Sequence, residues 1–402
     1  MHYLEDYREI VGENVLSTIH RLASKLYGKH ILFINSTHQG GGVPEILEAL
    51  IPLMNDIGLD TGWRILHATP DFFTIARKFR DALQGEKIHF TEMKKRLYSE
   101  ANENFSVYTH IDHDCVIIHE IQPLPLIKFY KKRQPWIWRC HLDLTNPNKK
   151  LWEFLENFIL RYDAFIYSCD KYKREDLPVE QRVIHPAIDP LSPKNMELSD
   201  KDISKYLTKF DVPTDKPLIT QISRFDQWRD PKGVIEIFKR VKEKVDCRLV
   251  LCGSIGLDDP EGLEISAKIR QKERRLIEDK DLILITSENN ILVNVLQRSS
   301  DIIIQKSLKE GFGLTITEAL WKEKPVVAST AGGIPLQIKD GENGFLVDPN
   351  DNKGFADRII QILQNPKLAE DMGRKGKEVA RKNFLITRLL LDYLILLTDL
   401  LR

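Results

Sequence analysis

Short apolar runs alternate with stretches of helical apolar period along this chain, and the series occurs twice. A strand that is apolar at successive positions must be covered on both faces. In a chain of mixed composition that means a parallel sheet sandwiched between helices. The first series reads His30–Ile34, Cys115–Ile118, Trp136–Trp138 and Ala164–Tyr167, ending near Val183 and Ile184. The second reads Pro217–Ile222, Arg248–Gly253, Leu282–Ile285, Asp301–Ile304 and Pro325–Ala328. Between them fall helical patterns such as Val43–Asn55, with Val43, Ile46, Leu47, Leu50, Ile51 and Met54 on one face, and Lys150–Leu160 and Val234–Val245. The expected fold class is α/β, with two doubly wound Rossmann-like domains facing a central cleft.

The length of 402 residues suits two domains at roughly 150 residues each. Charged residues make up 29% and apolar residues 42%, a balance that excludes wholesale disorder. Fifty-nine basic residues match 59 acidic ones, which argues against a general nucleic-acid binder. The five cysteines, at 115, 140, 169, 247 and 252, form no Cys-x-x-Cys, so neither a disulfide framework nor a zinc site is expected. Met1 to Tyr7 is polar and acidic, unlike a signal peptide, and a cytoplasmic location is expected. The Leu-rich stretch Ile386–Leu401 is interrupted by Arg388, Asp392 and Asp399 and is shorter than the roughly 20 apolar residues of a membrane span. It reads as a C-terminal helix packed on the protein, and no membrane partner is expected.

His185–Pro193 is proline-rich and reads as loop. The expected organisation is a first domain over 1–200, a second over 201–385, a linker near 186–210, and a helix over 386–402 returning to the first domain. Ligands of such sheets sit at the carboxyl ends of the strands, so the loops after Ile34, Ile118, Trp138, Ile222 and Ile304 are expected to face the cleft.

Those loops hold the residues able to do chemistry. Gly40-Gly41-Gly42 lies between a strand and a helix, where bare backbone and a helix N-terminus can hold a phosphate or simply make a tight turn. It matches neither Gly-x-Gly-x-x-Gly nor a Walker loop. Ser223–Gly233 places Arg224, Arg229 and Lys232 beside a strand end, either as a phosphate fork or as a solvated loop. Lys309–Leu320 sets Glu310 and Glu318 eight apart around Gly311, Phe312, Gly313, Leu314 and Thr315. Carboxylates can accept from sugar hydroxyls there, and an acidic helix start is the alternative. His119 and His141 each follow a strand, with Arg139 and Asp143 near the second, and can bind hydroxyls or pass protons.

The element from Glu310 to Glu318, with Ser223-Arg224, the glycine loop, Gly332–Pro335 and Gly341–Val347, resembles the retaining glycosyltransferases of family four, which have the GT-B fold. Met54–Asp56, Asp60–Arg64, Trp138–His141, Ile188–Ser192 and Ser223–Asp226 resemble the trehalose glycosyltransferring synthases within it. The resemblance implies that α,α-trehalose is made reversibly from a nucleoside-diphosphate glucose (UDP-, ADP- or GDP-glucose) and free glucose. It implies catalytic roles for Arg224 and Arg229 on the diphosphate and for Glu310 on the donor glucose. It implies donor contacts at Gly41, Gly42, Gly311, Phe312, Gly313, Leu314 and Thr315, and at Glu318 on the ribose. Acceptor contacts are expected from His119, Arg139, His141 and Asp143.

Two positions depart from the subgroup. Arg229 stands where lysine is usual, and His119-Glu120-Ile121-Gln122-Pro123 replaces His-Asp-Pro-Gln-Pro. No resident cofactor or protein-bound metal is expected, with Mg²⁺ pairing only with the nucleotide. A homodimer is left open. The alternatives are a trehalose phosphorylase using glucose 1-phosphate, another family-four hexosyltransferase, a sugar-nucleotide epimerase and a non-catalytic sensor.

Overall fold

The computed structural model describes residues 2–254 and 260–401. Met1 and Arg402, which close the expected first domain and terminal helix, lie outside the described residues.

By its internal contacts the chain forms two compact units, Met1–Ala187 with Ile386–Arg402, and Ile188–Leu385. In the first unit six strands are all parallel: β1 (His30–Asn35), β2 (Asp60–Ile65), β3 (Cys115–His119), β4 (Trp136–Arg139), β5 (Ala164–Tyr167) and β6 (Glu180–Val183). Their spatial order is β2-β1-β3-β4-β5-β6. The second unit has β7 (Leu218–Ile222), β8 (Arg248–Gly253), β9 (Leu282–Thr286), β10 (Ile302–Gln305), β11 (Val326–Ser329) and β12 (Phe345–Val347) in the order β12-β11-β10-β7-β8-β9. These too are all parallel. Both are doubly wound. The direction of winding reverses between β1 and β3 in one sheet and between β7 and β10 in the other. A crevice for ligands opens at such switch points.

The sequence explains the layers. β3, β4, β7 and β8 are buried at every position, as strands covered on both faces must be. The covering helices begin at side-chain caps: Thr69 accepts from the Phe72 N–H, Asn148 from Leu151 and Asn289 from Leu292. Helix Ile386–Leu400 packs on helices Glu13–Ala23 and Gly42–Asp56 of the first unit and buries Leu389, Leu390, Tyr393, Leu394 and Leu397. Among the described residues no helix is long and apolar enough to cross a membrane.

The structure differs from the sequence expectation at the join. Residues 188–200, assigned to the first domain, belong to the second unit. They are held there by side chains: Asn294 Nδ2 donates to the Pro193 carbonyl at 3.0 Å, and Arg298 Nη2 to the Met196 carbonyl at 3.0 Å. The stretch 186–210 is not linker throughout, because Ser199 caps a helix over Asp200–Lys209. Strands β2 and β12 were not expected. Both are sheet edges, and their sequences, Asp-Thr-Gly-Trp-Arg-Ile and Phe-Leu-Val, lack a long apolar run.

Candidate active site

In the second unit the loops after β7 and β10 flank the switch point, and they hold the predicted basic and acidic residues. Arg229 reaches across: its Nη2 donates to Glu310 Oε1 at 3.0 Å and its Nη1 to the Lys309 carbonyl at 2.8 Å. Burial acts to lower the Arg229 pKa, but Glu310 and Asp226 outweigh it and raise the value, so the guanidinium stays charged. Ser307 Oγ donates to Glu310 Oε2 at 3.2 Å, so hydrogen bonds reach both carboxylate oxygens. Arg224 keeps a 45% exposed side chain and pairs with Asp226 at 3.2 Å. Lys232, the third basic residue of the loop, is exposed.

Two supports of this loop carried no sequence signal. Gly253, ending β8, lies against it: a Cβ there would sit 1.8 Å from the Ser223 carbonyl oxygen, so only glycine permits that approach. Lys306, 3% exposed at the end of β10, pairs with Asp230, whose backbone is left-handed (φ 40°) and whose side chain accepts from the Gly233 N–H at 3.0 Å. Asp230 thereby caps helix Pro231–Lys242 directly after Arg229.

Helix Leu314–Trp321 follows Glu310–Gly313, with Gly313 at its N-cap and no side-chain cap. Phe312 is buried, and Gly313, Leu314 and Thr315 are partly exposed. The first unit offers a similar end. Gly41, at φ 88°, begins helix Gly42–Asp56, again with no side-chain cap, and a Cβ there would meet nothing within 4 Å. The positive φ requires glycine, and the open space leaves the backbone accessible to an anion. Asn35, closing β1, braces this loop by donating to the Thr37 carbonyl at 2.6 Å and accepting from Trp63 Nε1 at 2.8 Å.

Glu318 lies inside helix Leu314–Trp321 and is 4% exposed. Its Oε2 accepts from Gln297 Nε2 at 3.2 Å, and Lys194 Nζ stands 3.8 Å from Oε1.

In the first unit His119 and His141 come together. The imidazoles stack with centroids 5.3 Å apart, and His119 Nδ1 lies 3.2 Å from His141 Nε2. Burial, then the charge of Arg139, holds both pKa values well below the usual 6.5, so both rings are neutral at pH 7. His119 Nε2 is buried and lacks a hydrogen-bond partner. Glu120, next in the chain, adopts φ 67°, uncommon outside glycine, and its Oε1 accepts from the His141 N–H at 3.1 Å.

The other two expected acceptor residues are placed differently. Arg139 is fully buried: Nη1 donates to the Tyr393 hydroxyl at 2.6 Å, Nη2 lies 3.4 Å from the Ile184 carbonyl, and the guanidinium lies over the Tyr393 ring. Asp143 is 3% exposed and accepts from the N–H and hydroxyl of Thr145 at 2.9 and 2.6 Å. Among the described residues, no group of three or more His, Cys, Asp or Glu is arranged to hold a metal ion.

A family model described as "Trehalose synthase, N-terminal domain" matches residues 33–174, and one described as "Glycosyl transferases group 1" matches 202–379. A trehalose synthase of Thermococcus litoralis is 47% identical over 98% of this chain and 97% of its own. Among solved structures, sucrose-phosphate synthase from Thermosynechococcus elongatus superposes with TM-score 0.72 at 16% identity, covering 92% of this chain and 99% of that one. An E. coli structure titled as trehalose-6-phosphate bound with UDP-2-fluoro glucose gives 0.74 at 14% identity, with the same coverage. These two speak for the fold, which is GT-B. The identity and coverage of the Thermococcus relative place the chain in the trehalose synthase family of glycosyltransferases.

Proposed function

We propose that the protein transfers glucose from a nucleoside-diphosphate glucose to free glucose, with retention, forming α,α-trehalose reversibly. The observation that carries this reading is the Arg229–Glu310 pair at the β7/β10 switch point. It sets a fixed cation and a carboxylate side by side, with the helix end at Leu314, which has no side-chain cap, next in the chain. In the proposal Arg224 and Arg229 take the diphosphate, Glu310 the hydroxyls of the donor glucose and Glu318 the ribose. Main-chain N–H groups of Gly41, Gly42, Gly311, Phe312 and Gly313 add donor contacts, with Leu314 and Thr315 meeting phosphate at the helix end. His119 and His141 take the acceptor, with His119 Nε2 buried and without a partner in the protein. Asp143 and Arg139 act behind them, with Arg139 Nη1 turned to the Tyr393 hydroxyl and Asp143 Oδ1 held by Thr145.

The reaction follows a front-face course. The bond from the anomeric carbon to the phosphate oxygen breaks as the acceptor oxygen bonds to the same face, and the acceptor proton passes to the departing phosphate. Negative charge grows on the diphosphate, so arginines and helix N-termini held in place beforehand lower the barrier. Mg²⁺, where it assists, pairs with the nucleotide. The reading also takes the protein to be cytoplasmic, with a homodimer as the assembly to test by light scattering.

The test is incubation with UDP-, ADP- or GDP-glucose, or glucose 1-phosphate, each with and without glucose. Trehalose and nucleoside diphosphate formed only when both a nucleotide sugar and glucose are present support the proposal. Trehalose from glucose 1-phosphate alone among the donors would replace it with the phosphorylase reading.

A further inference from the structure

Behind Glu318 lies a buried polar chain that the proposed chemistry does not use. Asn195 Nδ2 donates to the Asp189 carbonyl at 2.9 Å and to Ser192 Oγ at 3.2 Å, which turns its Oδ1 the other way. That oxygen accepts from Lys322 Nζ at 2.8 Å. Lys322 also donates to Gln297 Oε1 at 2.8 Å and to the Glu318 carbonyl at 3.2 Å, so its three N–H bonds meet three oxygens. The Glu318 carboxylate has no donor to offer and the charged form of Lys322 no acceptor, so Gln297 presents its NH2 to Glu318 Oε2 and its oxygen to Lys322. Asn195, Gln297, Glu318 and Lys322 are all less than a tenth exposed. Burial, reinforced by Arg298 and Lys194 and opposed by Glu318 and Glu197, pushes the Lys322 pKa down to about 7. Keeping a charge here is unfavourable to folding unless its partners hold it.

We propose that Lys322 is a positioning residue for nucleotide binding: by holding Asn195 Oδ1 and Gln297 Oε1 it fixes the polarity of the Gln297 amide. That amide in turn holds the Glu318 carboxylate in the orientation that receives the ribose hydroxyls. The inference rests on the assignment of Glu318 to the ribose. Through it, Asp189 and Ser192 of the stretch His185–Pro193, read from sequence as loop, and Asn195 just beyond it become part of the support of the donor site.

The experiment is a double-mutant cycle on the full chain, read as binding of UDP, ADP and GDP by calorimetry and as KM for glucose. Lys322→Met and Gln297→Met are each expected to weaken the best-bound nucleotide about tenfold, on the scale of one lost hydrogen bond to a charged group. The double variant is expected to bind no more weakly than either single one, with KM for glucose unchanged. Additive losses, or Lys322→Met binding nucleotide as wild type does, overturn the proposal. Glu318→Gln is run alongside. If it leaves nucleotide affinity unchanged, the ribose assignment falls and takes this inference with it. If it weakens binding while Lys322→Met does not, the ribose assignment stands and this inference alone falls. Should Lys322→Met fail to fold by circular dichroism, Lys322→Gln replaces it, with the same outcomes deciding.

Discussion

Arg229 Nη2 lies 3.0 Å from Glu310 Oε1, joining the loop after β7 to the loop after β10 across the switch point of the second sheet. The pair is largely buried, so each charge depends on the other. Arg229→Ala should lower turnover about 10²-fold or more, on the scale of one lost transition-state donor. It should also destabilise the second unit by about 3–5 kcal/mol, because Glu310 loses a buried counter-charge. Arg229→Lys, the residue usual in the subgroup, should keep most of the activity. Lys232→Ala should be mild, since that side chain is exposed. Steady-state kinetics with thermal denaturation separate these outcomes. A severe Lys232→Ala would move the second basic role to that residue.

Gly253→Ala should be costly out of proportion to one methyl group. A Cβ at 1.8 Å from the Ser223 carbonyl oxygen cannot be accommodated without moving the Ser223-Arg224 backbone. The expected result is a lowered Tm together with a raised KM for the nucleotide sugar. An alanine variant with wild-type Tm and KM would show that the loop does not lie against β8 in solution.

Arg139 and Tyr393 make a prediction about what is structural. Tyr393→Phe removes the hydroxyl that accepts from the buried guanidinium, at a cost of about 1–3 kcal/mol. KM for glucose should change little, because Arg139 Nη1 and Nη2 are turned to the Tyr393 hydroxyl and the Ile184 carbonyl. A large rise in that KM with unchanged Tm would return Arg139 to direct acceptor binding.

The strand core was legible in sequence where strands are central and opaque where they are edges. Leu-Ile-Thr-Gln-Ile and Cys-Val-Ile-Ile-His announce burial on both faces, while β2 carries Asp60 and Arg64 because one of its sides has no neighbouring strand. Loop positions in sequence likewise pointed to Arg229, Glu310 and His119, since each follows a strand of the switch point. The pairing of Arg229 with Glu310 was not legible, nor was the burial of Arg139. Lys322 carried no sequence signal, standing one residue past the end of helix Leu314–Trp321. Only the fold reveals that it faces Asn195, which is 127 residues away in sequence.

The stacked histidines give a pH prediction. Both have folded pKa values below that of the unfolded chain, so below about pH 6.5 the unfolded state binds more protons. Their contribution to stability is therefore present above pH 6.5 and lost as pH falls toward the folded values. Wild-type Tm should drop more steeply between pH 6.5 and 5 than that of His141→Gln. Parallel curves would mean that the rings are not buried neutral.

The most direct test of the central claim is a ¹³C NMR time course with nucleotide glucose labelled at the anomeric carbon and unlabelled glucose. The account predicts that the label moves from the α-glycosyl phosphate signal to that of α,α-trehalose, without a β-linked product, in the wild-type enzyme and not in Glu310→Ala. Label appearing in a β-linkage, label remaining in the donor with every nucleotide tried, or full transfer by Glu310→Ala would contradict it.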